Sequence, residues 1–143
     1  MKKIVLLLSI LLGTTSLHAQ QDSTTFKAQL YNAEYEVTMN INLYDNDVIV
    51  PKLDMLGGQP GCLFREKASH YSWIITDAEI KTPTQAELIM VNEAGSEDLE
   101  ATLTCKNDST YVLRQGRGST IKVPKGTKWQ KIPATITLKR KKK

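Results

Sequence analysis

Few residues in this chain are of types that do chemistry. Cys62 and His70 lie eight residues apart and are the partners of a thiolate–imidazole pair, in which the ring takes the thiol proton and leaves a nucleophile. A hydrolase using His70 with Cys62, or with a carboxylate, is one reading of them. No family signature surrounds either residue, so the plainer reading puts Cys62 in a core or a bridge and His70 at an exposed strand start. A zinc site from Cys62, Cys105 and His70 lacks a fourth ligand, and neither Cys-x-x-Cys nor His-x-x-x-His spacing occurs. Asp77 with Glu79, and Asp45 with Asp47, are two apart and so share one face of an extended strand. Glycosidase chemistry instead needs two carboxylates facing across a cleft, one of them desolvated. Gly-x-Ser-x-Gly, phosphate-cradling and dinucleotide patterns do not occur. The expectation is a chain without a catalytic, cofactor-binding or metal-ligating set.

A basic stretch offers binding chemistry instead. Lys122, Lys125, Lys128 and Lys131 recur every three residues around Trp129, which suits an anionic ligand with the indole as a stacking platform. Three-residue spacing sends successive lysines to opposite faces of a strand, so one continuous patch requires the stretch from Lys125 to Lys128 to be a loop. A solvated hairpin is the plainer reading of the same residues. Cys62 and Cys105 are the only cysteines. Under oxidising conditions they are candidates for a disulfide, with free buried thiols as the competing reading.

The compartment follows from the N-terminus. Lys2 and Lys3 precede an apolar run from Ile4 to Leu12, broken only by Ser9, and small and polar residues follow as far as Gln20. This is the grammar of a secretory signal peptide cut after Ala19, with Gln20 as the alternative. The apolar run is about half of the roughly 20 residues that a spanning helix needs, so no transmembrane segment is expected in the mature protein. The expected organisation is a signal peptide at 1–19, a single β domain at 20–138 and a basic tail at 139–143, in a periplasmic or secreted protein. Taking the two lysines of the leader and the five positive charges of the tail from the formal charge of +4 leaves about −3. Such a body is a poor partner for nucleic acid.

The elements that must position these residues read as strands. Tyr35, Val37, Met39, Ile41 and Leu43 alternate with polar residues, and Leu99, Ala101, Leu103 and Cys105 do the same. Phe26 to Leu30 and Ile132 to Leu138 follow the pattern at the two ends of the domain. Between them lie Tyr71 to Lys81, Gln85 to Asn92, Thr110 to Gln115, Thr120 to Val123 and the shorter Asp47 to Val50 and Cys62 to Arg65. Apolar parity shifts between Ile75 and Ala78, which predicts a β-bulge around Thr76 and Asp77. Turn residues at Asp45-Asn46, Gly95-Ser96, Asn107-Asp108 and Lys125-Gly126 punctuate the strands. The fold class is therefore all-β: an antiparallel meander of about eight to ten short strands, closed as a small lipocalin-like barrel in preference to a β-sandwich. The irregular stretch from Lys52 to Gly61 is expected to lie across an open end as a lid or rim.

Several segments resemble a family of small exported all-β proteins of the Bacteroides group. They are Asn42-Leu-Tyr44 leading to Val50-Pro51, Ala86-Glu-Leu88, Gly95-Ser-Glu-Asp-Leu99, Tyr111-x-Leu113, Gly118-Ser-Thr120 and Lys128-Trp129 with Lys131-Ile-Pro133. The resemblance implies a shared fold and an exported location; the family has no established activity. Asp22-Ser23-Thr24 and Asp108-Ser109-Thr110 resemble the O-glycosylation acceptor of that bacterial group, with Ser23 and Ser109 as the hydroxyls. The leading expectation is an exported, non-enzymatic binding or interaction module whose partner is a small ligand, a glycan or a protein. The alternatives are the envelope hydrolase outlined above and a secreted inhibitor.

Overall fold

The computed structural model describes residues 24–67 and 70–142. The expected leader and Ser23 lie outside the described residues. Among these residues ten strands form: β1 (Lys27–Asn32), β2 (Val37–Asn42), β3 (Gly61–Arg65), β4 (Ser72–Thr82), β5 (Gln85–Asn92), β6 (Asp98–Asn107), β7 (Thr110–Gly118), β8 (Lys122–Lys125), β9 (Lys128–Lys131) and β10 (Thr135–Arg140). Eight of them close an antiparallel barrel in the order β1-β10-β7-β6-β5-β4-β3-β2, and β8 pairs only with β9. The barrel, not the sandwich, is the architecture. No helix among the described residues is long and apolar enough to cross a membrane.

Alternation decides which side chains enter. Val37, Met39 and Ile41 of β2, Ala86, Leu88 and Met90 of β5, and Leu99, Ala101 and Leu103 of β6 are buried in one cluster. The intervening residues of β5 and β6, such as Glu87, Ile89 and Glu100, face out. The register shift between Ile75 and Asp77 in β4 lies where the parity changes, so the bulge keeps Ala78 pointing inward after Trp73 and Ile75.

The strand-ending asparagines shape several turns. Asn42 and Asn92 are buried, and each amide oxygen accepts two backbone N–H groups of the following turn, Tyr44 and Asp45 in one and Ser96 and Glu97 in the other. Asn32 and Asn107 accept from the N–H of Tyr35 and Ser109 in the same manner. A side chain that mimics a backbone acceptor is the reason asparagine favours such positions.

Three segments differ from the reading of the sequence. Asp47 to Val50 is not a strand but half of a strap, joined to its other half by a single bridge between Val48 and Gln59. Val50 packs with Cys62, Phe64 and Ile74 on the outer side of the wall, so the strap covers the barrel's flank instead of an open end. The C-terminal strand starts at Thr135, because Ile132 is used elsewhere and Pro133 has no N–H to give to a ladder. Finally, Lys139 and Arg140 do not fray from the domain. They pair with Tyr31 and Leu30 and thereby close the barrel, and the Lys141 N–H donates to the Gln29 carbonyl at 2.8 Å.

Both ends are shut. The excursion between β7 and β10 folds over one of them and inserts Ile121, Val123 and Ile132, each at most 1 % exposed. At the other end Phe26 is 1 % exposed, and the buried Tyr111 hydroxyl donates to the Thr25 carbonyl at 2.6 Å while accepting from Arg140. Trp73, Met39, Leu63, Met90, Leu103 and Leu113 fill the space between, all fully buried. This barrel is packed by side chains and is not a calyx.

Candidate functional site: an aromatic and lysine face on the closing hairpin

A filled interior moves attention to the exterior, and the hairpin of β8 and β9 is its most unusual part. Gly126 takes a positive φ of 63° at the first position of a two-residue turn, the backbone that tight hairpins require. The register pairs Lys122 with Lys131, Val123 with Gln130, Pro124 with Trp129 and Lys125 with Lys128. Val123 is fully buried, so its face of the hairpin looks into the barrel. Lys122, Pro124, Trp129 and Lys131 therefore share the opposite, outward face. Lys125 and Lys128 belong to the inner face and project past the barrel at the tip. The five residues of the candidate patch are thus divided between two faces, because they lie on a two-stranded hairpin, the plainer of the two readings of the sequence.

The barrel holds this hairpin firmly. Trp73 Nε1 donates to the Lys122 carbonyl at 2.9 Å, and Arg65 donates to the Pro124 carbonyl at 2.9 Å. Gln115 clasps both legs of the excursion, accepting from the Ile121 N–H at 2.7 Å and donating to the carbonyls of Ile132 and Pro133. Trp129 is 52 % exposed, yet its ring is braced edge-on by the half-buried Tyr71, with centroids 4.9 Å apart and planes at 80°. Lys122 Nζ lies 3.4 Å from Glu97. Lys125, Lys128 and Lys131 have no carboxylate partner among the described residues.

The other candidate groups are placed apart. Cys62 and Cys105 are both free thiols, so of the two readings of the cysteines the structure has the unbridged one. Cys62 faces outward beneath the strap, whereas Cys105 packs against the interior cluster. Two strands, β4 and β5, stand between their own. Three strand spacings of about 4.8 Å far exceed the roughly 7 Å between Cα atoms that a disulfide allows. Burial pushes the Cys62 thiol up to about 12, the reverse of what an attacking thiolate requires. His70 lies over Phe64 with ring centroids 6.0 Å apart, and no hydrogen bond joins it to Cys62. Among the described residues no three potential metal ligands converge.

The carboxylates gather on another flank. A cleft of about 740 Å³ on the outside of β4 to β7 is lined by Asp77, Glu79, Glu87, Glu100 and Arg117 among others. Glu79 and Glu87 are direct cross-strand partners, and Lys81 bridges them at 3.1 and 3.8 Å. Their side chains are 70 % and 62 % exposed, so neither is desolvated as a general acid must be. Ser109 is exposed at the tip between β6 and β7, and its hydroxyl donates to Asn107 Oδ1 at 3.2 Å.

Sequence reasoning singled out Trp129 and the lysines but missed Tyr71, Trp73, Arg65 and Gln115. Their hydrogen bonds to the hairpin and its flanking legs span 6 to 59 positions along the chain, the longest being those of Trp73 and Arg65. Only the closed barrel brings them together. No family model matches the chain, and no curated protein or solved structure is significantly similar to it.

Proposed function

We propose that this protein is an exported, non-enzymatic binding module that engages its partner on the outside of the barrel, through the outward face of the β8–β9 hairpin. One observation carries the reading: Trp129, half exposed, is braced by Tyr71 on a hairpin whose backbone is tied to Trp73 and Arg65. An isolated surface tryptophan loses area to water and rotamer freedom to any contact, whereas a braced one presents an ordered aromatic surface at small entropic cost. Export is the expectation from Lys2 to Ala19, and Ser23 and Ser109 are proposed as glycan acceptors on the same footing.

The test is a saccharide array carrying neutral and acidic glycans, probed with the mature protein and its Trp129→Ala variant. Retention of some glycan by the wild type, lost at least tenfold in the variant, is the expected result. Equal retention by the two proteins removes this face as the site. Intact mass of protein taken from its native host reports both the cut after Ala19 and any added glycan.

A further inference from the structure

We infer that the face around Trp129 takes an acidic saccharide, with a sugar ring stacked on the indole and its carboxylate or sulfate held by Lys131 and Lys122. This rests on the reading of that face as the binding surface, and it names the class of ligand.

Charge supplies the first argument. Both lysine pairs of the hairpin, Lys122 with Lys131 and Lys125 with Lys128, are direct cross-strand partners. Like charges placed opposite one another destabilise a strand pair. A hairpin required only to close the barrel would gain from a glutamate at either partner position. Glu97 relieves the first pair in part, through Lys122 at 3.4 Å, and leaves Lys131 as the uncompensated cation beside Trp129. An anion seated between the lysines removes the repulsion.

The second argument comes from the aromatic group and the shape. Tyr71 and Trp129 stand nearly perpendicular, and with the indole 52 % exposed about half of its surface is available to the flat C–H side of a pyranose ring. The Trp129 indole N–H has no acceptor among the described residues, so it is free to donate to a ring substituent. Pro124, on the same face, extends the platform with a rigid ring and no backbone donor. The surface is open and lies on a two-stranded ribbon, which fits a stretch of a long chain better than a small molecule that must be enclosed. A bilayer would instead ask for several apolar side chains projecting together, and here one aromatic ring stands among lysines.

The experiment titrates the mature protein by calorimetry with three hexasaccharides of similar length: a sulfated heparin fragment, an unsulfated hexauronate and neutral maltohexaose. At least one acidic probe is expected to bind tenfold or more tighter than the neutral one. Trp129→Ala should weaken that binding at least tenfold and Lys131→Gln by about threefold to tenfold, with a shallower dependence on salt. Lys122→Gln should cost less, since Glu97 already occupies that ammonium. Far-ultraviolet circular dichroism and the emission of the buried Trp73 verify that each variant is folded. Equal binding of maltohexaose overturns the acidic class while leaving the face as a binding site. Acidic binding that Trp129→Ala leaves intact overturns the stacking geometry in favour of unspecific charge. Binding only to phosphatidylglycerol vesicles, or equally to a thymidine hexanucleotide, overturns the saccharide. Failure of all probes together with a blank array overturns both this inference and the proposed site.

Discussion

At the hairpin end the barrel is shut by Ile121, Val123 and Ile132 on an added ribbon; at the terminal end it is shut by Phe26 and by Tyr111 held to Arg140. Both regions are rich in lysine and arginine, yet those charges are used differently. Near the chain terminus the cations have partners within the fold: Lys139 donates to Thr110, Arg140 to Tyr111 and to the Asp108 and Lys27 carbonyls, and Lys141 to Glu66. On the hairpin, Lys125, Lys128 and Lys131 face solvent or one another with no carboxylate partner among the described residues. A positive run is therefore not one kind of feature. Charge satisfied within the fold is structural, and charge left open beside a braced tryptophan is available to a ligand.

The sharpest way to break this contrast is to delete the terminal charges. Truncation after Leu138 removes the seam pairs of Lys139 and Arg140 with β1 and the Lys141 bond to Gln29. A loss of at least about 3 kcal/mol is expected in urea unfolding, from several hydrogen bonds of which those to Arg140 are charge-assisted. No loss would make residues 139–143 the frayed tail that their composition suggests. At the hairpin end, Gln115→Leu strands the Ile121 N–H and two carbonyls, at an expected cost of about 1 to 3 kcal/mol. Amide exchange should rise first in residues 119–134 while the β5–β6 ladder stays protected. Exchange rising equally throughout would mean that the excursion and barrel are one cooperative unit. Tyr111→Phe should be milder, about 1 kcal/mol, because Arg140 keeps its bonds to the Asp108 and Lys27 carbonyls.

Much of the barrel was legible because burial on one face of a strand writes itself as alternation. Tyr35 to Leu43 and Leu99 to Cys105 gave the inner face of β2 and β6, and the parity change at Thr76 and Asp77 gave the bulge. Where alternation carried little information, the reading slipped. Val50 is buried and Val48 half-buried by the packing of the strap on the barrel wall, not within a strand ladder, and their spacing is the same in either case. In β9 the sequence Lys-Trp-Gln-Lys holds no buried residue, so its strand is invisible to apolar periodicity. Lys139 and Arg140 look like tail by composition, although their backbones complete the ladder and their side chains have specific partners. The candidate site was half legible. Trp129 and its lysines stand out as residue types, whereas the division of the lysines between faces depends on the two-residue turn at Gly126, and the Tyr71 brace depends on closure of the barrel.

The smallest effect concerns the staple across the seam. Glu66 accepts from Lys141 at 2.8 Å and from the Thr38 hydroxyl at 3.0 Å, and these bonds, Lys141 foremost, hold its carboxyl below the ordinary glutamate range. A carboxyl whose value is depressed by folding adds stability that is complete above its unfolded value, near 4.3, and lost as pH falls through the folded one. Glu66→Gln should therefore cost less than about 1 kcal/mol at neutral pH, since the carboxylate is half exposed and water screens the pair. The difference from wild type should shrink as pH drops from about 5 into the range below the ordinary glutamate value. If the gap between the two proteins instead stayed constant down to strong acid, the bond would be acting through shape alone. The terminal lysine would then hold the seam by its backbone, with its charge as free as those on the hairpin.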